Sequence, residues 1–306
     1  MEIWAIYAIL ASFLWAFVNI SDQYLVAKYS AGEKGSGGLV LFSSLIGIFI
    51  ALGIGLFANN IFEISLLDKS LLILSGGFTI AWVILYLYTL EIEDVSAVVP
   101  WFLTVPIFGY VFGSLFLGET LTVMQQAGSI ITFFGLLLLN INFSDNKNKN
   151  FKLKPVLYML CACLVIATQG ILFKYIAVGE SFWIASFWQY LGLGIFGVVL
   201  FIFVPKYRRE FNKMNKDGGK EIFALNVGSE LTSVLGNLLS SFATLLAPIT
   251  LVYLVGSFQP VFVLLLTILG TFFFPKIVKE DISLRVLLPK VIAIIIMTIG
   301  SIILFS

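Results

Sequence analysis

No histidine occurs among the 306 residues, and only 11% of them are charged. The first absence removes the commonest metal ligand, the commonest general base and the side chain that changes charge near neutral pH. The second argues against a soluble domain, in which about a quarter of residues carry charge. Cysteine is scarce as well. Cys161 and Cys163 lie two positions apart in an apolar run, where a helix turns them to different faces. That spacing argues against a disulfide or a metal clip and suggests two small buried side chains. A net charge of +1 leaves no basic patch beyond the short loops, so nucleic acid is not expected as a partner. Loop lysines remain able to meet anionic lipid heads. No cofactor and no metal is expected.

What the chain has in excess is apolar surface: 60% of residues are apolar and 30 are phenylalanine. Such a composition cannot cover a globule with polar groups, so much of the surface must face lipid. Ten runs are long enough to cross a bilayer as helices: about 3–27, 39–58, 71–90, 95–117, 123–142, 155–178, 182–204, 222–246, 249–274 and 285–305. They are twice the length of barrel strands and do not alternate, which selects helices. The breaks between them, such as "SDNKNKNFKLK" and "KYRREFNKMNKDGGK", are polar and too short for a soluble domain. The opening "MEIWAIYAIL" has neither a basic region nor a cleavage site and reads as a retained span.

The two halves share a register. "VPIFGYVFG" from Val105 and "QPVFVLLLT" from Gln259 set Pro106 and Pro260 at an offset of 154, which also pairs Ser75 with Ser229, Thr79 with Ser233 and Ser96 with Thr250. "ETLT" at Glu119 has a shifted counterpart in "EDIS" at Glu280. A duplication of five spans follows, with residues 1–142 as the first repeat, 143–154 as a cytoplasmic linker and 155–306 as the second. Because five is odd, the second copy enters the membrane inverted, the arrangement of secondary transporters with a site near the midplane. The expected fold is therefore an all-α integral membrane protein of ten transmembrane helices in two inverted five-helix repeats. Basic residues gather in the odd loops: Lys28 and Lys34, Lys147 to Lys154, Lys206 to Lys220, and Lys276 to Arg285. By the positive-inside rule those loops are cytoplasmic and both termini lie outside.

The stretch "SAVVPWFLTVPIFGYVFGSLFLGETLTVMQQAGSIITFFGLLLL" carries a more specific pattern. It has small residues at Ser96 and Ala97, a Pro106 to Phe108 step, Leu117 to Glu119, Gln125 or Gln126, and paired Gly128 and Gly135. Trp15 ends a "FLW" in the first span. These features resemble the drug/metabolite transporter superfamily, in its ten-helix EamA-like branch. The match in detail covers about 45 residues, and helix count extends it to the whole chain. Where the family often has a basic residue in the first helix, this chain has Asp22 and Gln23; where it often has an arginine in the second, this chain has Ser43 and Ser44. The resemblance implies a carrier of small metabolites or drugs, most often an exporter of amino acids or related compounds, with no cofactor and no chemical reaction. It also implies termini in the cytoplasm, opposite to the loop charges, so both orientations stay open.

Polar residues inside the spans mark the candidate pathway. In the eighth span Asn226, Glu230, Ser233, Asn237, Ser241 and Thr244 recur at steps of three and four, which is one face of a helix. Serines and threonines alone would suit interhelical hydrogen bonding. Two asparagines and a carboxylate on the same stripe point to a cavity wall instead. A carboxylate at that depth costs about 2.5 kcal/mol or more unless it is used. Glu230 can take a proton or a cationic solute in alternation, which would couple transport to a proton gradient. The third span offers Ser75, Thr79, Trp82, Tyr86 and Thr89 at the same spacing, an aromatic face suited to a cation or a planar solute. Trp15 and Asn19 on the first span, Gln169 on the sixth and Gln189 on the seventh complete the candidate binding residues.

Other polar groups have plainer readings. Asp22 sits near the end of its span and is expected to reach solvent or Lys28, while Lys174 is expected to snorkel outward. Pro106, Pro260 and Pro248 are expected kinks, and Gly128, Thr132 and Gly135 a close-packing face. Glu119 and Glu280 are expected to cap helix starts. Glu91, Glu93 and Asp94 form the one acidic cluster in the sequence and read as a solvated loop; with no opposing constellation they do not make a membrane enzyme. The expectation is a multi-pass protein of a prokaryotic plasma membrane, monomer or homodimer. It would move a small-molecule substrate by proton-coupled export, with efflux of hydrophobic or quaternary cations, or flipping of a lipid-linked sugar, as the alternatives.

Overall fold

The computed structural model describes residues 2–30, 36–93, 98–139, 153–217, 219–273 and 284–304, and every regular element in them is helical. Ser96, Ala97, Asp94, Glu280, Lys34 and the lysines at 147, 149, 152, 276 and 279 lie outside the described residues, so the readings placed on them are not addressed. In chain order the helices are α1 Ile3–Ser30, α2 Gly37–Gly55, α3 Leu66–Leu90, a 3-10 turn Val99–Thr104 running into α4 Val105–Phe116, α5 Val123–Leu139, α6 Leu153–Ala177 and α7 Phe182–Phe203. Then follow α8 Pro205–Asp217, α9 Gly219–Leu246, α10 Ile249–Gly256, α11 Gln259–Phe273 and α12 Leu284–Leu304. Eight segments are long and apolar enough to cross a membrane, with Ile249–Thr271 counted as one, and two shorter apolar helices cover Trp101–Phe116 and Val123–Leu138. The chain is a multi-pass membrane protein.

Local chemistry sets the helix ends and breaks. Ser65 accepts the Asp68 amide at 3.0 Å and so caps α3, with Asp68 in the positive first turn. Two of the expected continuous spans are interrupted. Residues 95–117 divide into the 3-10 turn and α4, with Pro106 in the first turn of α4; residues 249–274 divide at Ser257 and Phe258, with Pro260 in the first turn of α11. A proline there loses no hydrogen bond, because the first amides of a helix have no partner within it. The prolines therefore start helices and do not kink them. Pro248 likewise occupies the N-cap of α10.

Helices pack in reciprocal pairs: α1 along α9, α3 along α6, α2 along α7 and α5 along α12. Where backbones must come closest the sequence supplies glycine. A β-carbon on Gly76 of α3 would strike the backbone of α7 at Gln189 and Gly192, and one on Gly192 would strike Ile73. Gly128 and Gly135 of α5 meet the backbone of α12 at Gly300, Ala293 and Met297, in agreement with the close-packing face read there. Cys163 is buried in α6, but Cys161 is exposed, because positions two apart lie on different faces and only one face meets the protein.

The stretch read as the polar loop "KYRREFNKMNKDGGK" is mostly helix, α8. Tyr207, Phe211 and Met214 recur at steps of four and three, so they share one face; Tyr207 and Met214 are buried. Phe211 packs against Phe42 and Phe201, and the Tyr207 hydroxyl lies 2.5 Å from that of Tyr88. Burial pushes the Glu210 carboxyl above the usual carboxylate range; nearby Lys206 pulls it back, as does a backbone hydrogen bond from Gly37. Burial and the hydrogen bond with Tyr88 together push the Tyr207 phenol up.

Candidate functional site

A central cavity of about 220 Å³ opens between the two halves of the chain. Its wall on one side is the polar stripe of α9: Asn226, Glu230, Ser233, Asn237, Ser241 and Thr244 all line it. Thr79, Trp82 and Tyr86 of α3 line the opposite side, and Trp15, Asn19, Gln169 and Gln189 fill the intervals from α1, α6 and α7. The structure thus brings all the candidate binding residues to one place. Helical periodicity put each set on a single face, and the reciprocal packing of α1 on α9 and α3 on α6 turned those faces toward each other.

The side chains are braced in pairs across helices. Trp15 Nε1 donates to Asn237 Oδ1 at 3.1 Å, and Trp82 Nε1 donates to Gln169 Oε1 at 3.2 Å. At the 154-residue offset Trp15 corresponds to Gln169 and Trp82 to Gly236. The two bonds therefore sit at matching crossings, with the indole carried by α1 in one and by α3 in the other. Gly236 leaves room for this exchange, since a β-carbon there would stand 2.9 Å from the Trp15 indole nitrogen. Gln189 Nε2 donates to Ser75 Oγ at 2.9 Å, and Ser75 Oγ to the Gln169 carbonyl at 3.4 Å, which answers the need of Gln189 for a polar neighbour. Each braced side chain holds one orientation against the cavity.

The acidic end departs from expectation. Asp22, expected at the solvent-facing end of its span, lines the cavity with Glu230, and the two carboxyl groups act on each other electrostatically. Glu230 accepts a hydrogen bond from Ser43 of α2, and Tyr190 of α7 faces the same carboxyl. The Tyr86 hydroxyl donates to Asn19 Oδ1 at 3.0 Å and also meets Asp22. A phenol has one proton to give. That proton can serve Asn19 Oδ1 or the Asp22 carboxyl but not both fully, so Asp22, Tyr86 and Asn19 form one hydrogen-bonded cluster. Asn226, one turn before Glu230, is buried and places Nδ2 3.8 Å from the Met214 sulfur, so α8 closes against this end of the cavity. No lysine or arginine lines the cavity among the described residues.

The opposite end is tied by an ion pair. Lys174 Nζ lies 2.5 Å from Glu119 Oε1 and donates to the Ala247 carbonyl at 2.7 Å, while Glu119 Oε2 accepts the Ile249 amide at 2.8 Å. Lys174 is 9% exposed and does not snorkel, because its carboxylate and carbonyl partners stand inside the protein. Glu119 precedes α5 by four residues and caps not that helix but the start of α10 in the other half of the chain. Glu91, read as solvated, accepts the Ser36 amide at 2.8 Å. The sequence pattern favours plainer roles for Asp22 and Lys174 and singles out neither Ser43 nor Tyr253 as a wall residue, although both line the cavity. Periodicity cannot find such residues, since each gains its role from a partner far away in the chain.

Residues 2–141 match the EamA-like transporter family. A solved structure recorded only as a protein superposes with a TM-score of 0.65 over 97% of this chain and 95% of its own, at 14% identity. That likeness concerns the fold alone. No curated protein matches the chain.

Proposed function

We propose that the chain is a secondary active transporter of a small organic, amino acid-like metabolite, of the drug/metabolite transporter superfamily, a reading supported by the EamA-like match over residues 2–141. The transporter works by alternating access between two inverted five-helix repeats, residues 1–142 and 155–306, and exchanges protons for its solute during export. One observation carries this reading: a cavity between the halves that gathers a polar stripe, an aromatic face and the carboxyl of Glu230. The inverted repeat draws support from the packing. If α1, α2, α3, α4 and α5 are exchanged for α6, α7, α9, α11 and α12, the α5–α12 and α2–α7 pairs map onto themselves, α1–α9 onto α3–α6 and α4–α6 onto α1–α11, while the close α3–α7 packing has only a slight counterpart in α2–α9. The family's habit favours cytoplasmic termini and the loop charges favour the reverse; the basic face of α8 belongs with the second.

Ten spans complete the count when Trp101–Phe116 and Val123–Leu138 are taken as short crossings. The site needs no metal and no cofactor, and its partners are the solute, protons and the lipid of a prokaryotic plasma membrane. One chain encloses the pathway, as a monomer or as each half of a homodimer. The test is a thermal-stability screen of the purified protein against amino acids, polyamines, quaternary amines and sugars at two pH values, beside Glu230→Gln. A solute that stabilises wild type in a pH-dependent way and fails on the variant supports the reading. A solute that stabilises both equally at both pH values makes Glu230 a packing residue and overturns it.

A further inference from the structure

The geometry points to a solute of a particular class: a small organic cation whose ammonium is held between Asp22 and Glu230 and whose neighbouring hydrogen-bond acceptor is held by Asn19. This inference rests on the carrier reading and deepens it. Two carboxyl groups face one cavity from α1 and α9, and no cation among the described residues lines that cavity to balance them. The buried lysine among the described residues, Lys174, is engaged by Glu119 and the Ala247 carbonyl. A carboxylate pair in such surroundings is neutralised either by protons or by a cation that enters from outside. The groups facing the pair supply no alternative. Ser43 of α2, Tyr86 of α3 and Tyr190 of α7 are neutral, and no histidine exists to take a charge.

A second, independent observation concerns Asn19. It is 4% exposed, its Oδ1 takes the Tyr86 hydroxyl, and its Nδ2 has no hydrogen-bond partner although it stands at the cavity wall. A buried amide donor without an acceptor is costly and marks a place where a ligand oxygen fits. Trp15, Trp82 and Phe102 supply aromatic walls for the rest of the molecule, and Trp rings favour cations. An ammonium with a carbonyl oxygen beside it satisfies both observations, which is the chemistry of an amino-acid amide or a basic amino acid. A zwitterion leaves the carboxylate pair unbalanced, and an anion adds to the imbalance. Each ammonium that enters displaces a proton from the pair.

The test uses the intact purified protein and four probes that differ in charge: leucinamide, N-acetylleucinamide, leucine and glutamate. Binding is followed by calorimetry and by proton release in weak buffer. Leucinamide is expected to bind with release of protons, N-acetylleucinamide and glutamate to bind at least tenfold more weakly, and leucine to lie between. Asp22→Asn and Glu230→Gln should each weaken leucinamide binding at least tenfold and abolish proton release. Asp22→Glu should restore part of both, which separates charge from folding. Equal binding of the acetylated probe, no binding of leucinamide, or full affinity in folded Asp22→Asn would overturn the inference. Exchange of leucine without leucinamide in proteoliposomes would also sink it, while leaving the carrier reading standing. Binding of leucinamide without exchange of any probe would do the reverse.

Discussion

Removing the Lys174 ammonium tests the latch that joins the two halves of the chain. Lys174 Nζ and Glu119 Oε1 lie 2.5 Å apart with side chains only 11% and 13% exposed. Their mutual attraction is about 7 kcal/mol at an effective dielectric of ~20, most of which offsets the removal of both ions from water. The net value of the pair is therefore small, but the cost of halving it is not. Lys174→Met leaves Glu119 buried with the Ile249 amide as its remaining partner, and the Ala247 carbonyl with none from Lys174. Breaking a buried pair in this way costs about 3–5 kcal/mol. With an unfolding entropy of about 2.1 cal/mol/K for each of 306 residues, the melting temperature should fall by about 5–8 °C. Intrinsic tryptophan fluorescence of the detergent-purified protein reads this directly. Glu119→Gln should also lower it, and the double variant should melt above Lys174→Met, because it no longer buries an unpaired charge. A Lys174→Met protein that melts with wild type, or a double variant that merely adds the two losses, would show that no buried pair is broken.

Three further outcomes follow from the packing and from the surface helix. A β-carbon at Gly170 would overlap the Tyr253 hydroxyl, so Gly170→Ala should lower the melting temperature and Tyr253→Phe should restore part of it in the double variant. Trp15→Phe and Trp82→Phe each remove one indole donor and leave an amide oxygen unpaired, which should cost about 1 kcal/mol apiece by chemical denaturation. Burial holds the Glu210 carboxyl above its ordinary value, so the stability it lends to docking of α8 is fully present below the ordinary carboxylate range. That contribution is lost as pH rises through the raised value. A spin label on Lys216→Cys, in a background lacking Cys161 and Cys163, should loosen over that interval, and Glu210→Gln should hold it fixed throughout.

Much of the site could be read from the chain because it is periodic. Asn226 to Thr244 repeat at helical steps, and a face with two asparagines and a glutamate has no place against lipid; the cavity wall follows from local pattern alone. The same holds for Thr79, Trp82 and Tyr86. The paired breaks at Pro106 and Pro260 were visible in the offset between halves, though as kinks and not as helix starts. Asp22 and Lys174 were hidden for the opposite reason. Depth along a helix suggested solvent for both, and only tertiary packing brings Tyr86 and Glu230 to the first and Glu119 to the second. Helix α8 was hidden by its charge, because three apolar residues, Tyr207, Phe211 and Met214, are enough to seat a helix on α2 but too few to stand out in composition.

Glu230 is proposed to couple a solute in this cavity to proton movement across the membrane. Proteoliposomes loaded with a pH-sensitive dye and given an inward leucinamide gradient measure it most directly. Wild type should drive protons outward as the solute enters, with the interior becoming more alkaline, and Glu230→Gln should abolish the signal while the protein stays folded. Solute entry with no change of internal pH, or an undiminished signal in Glu230→Gln, would contradict the claim.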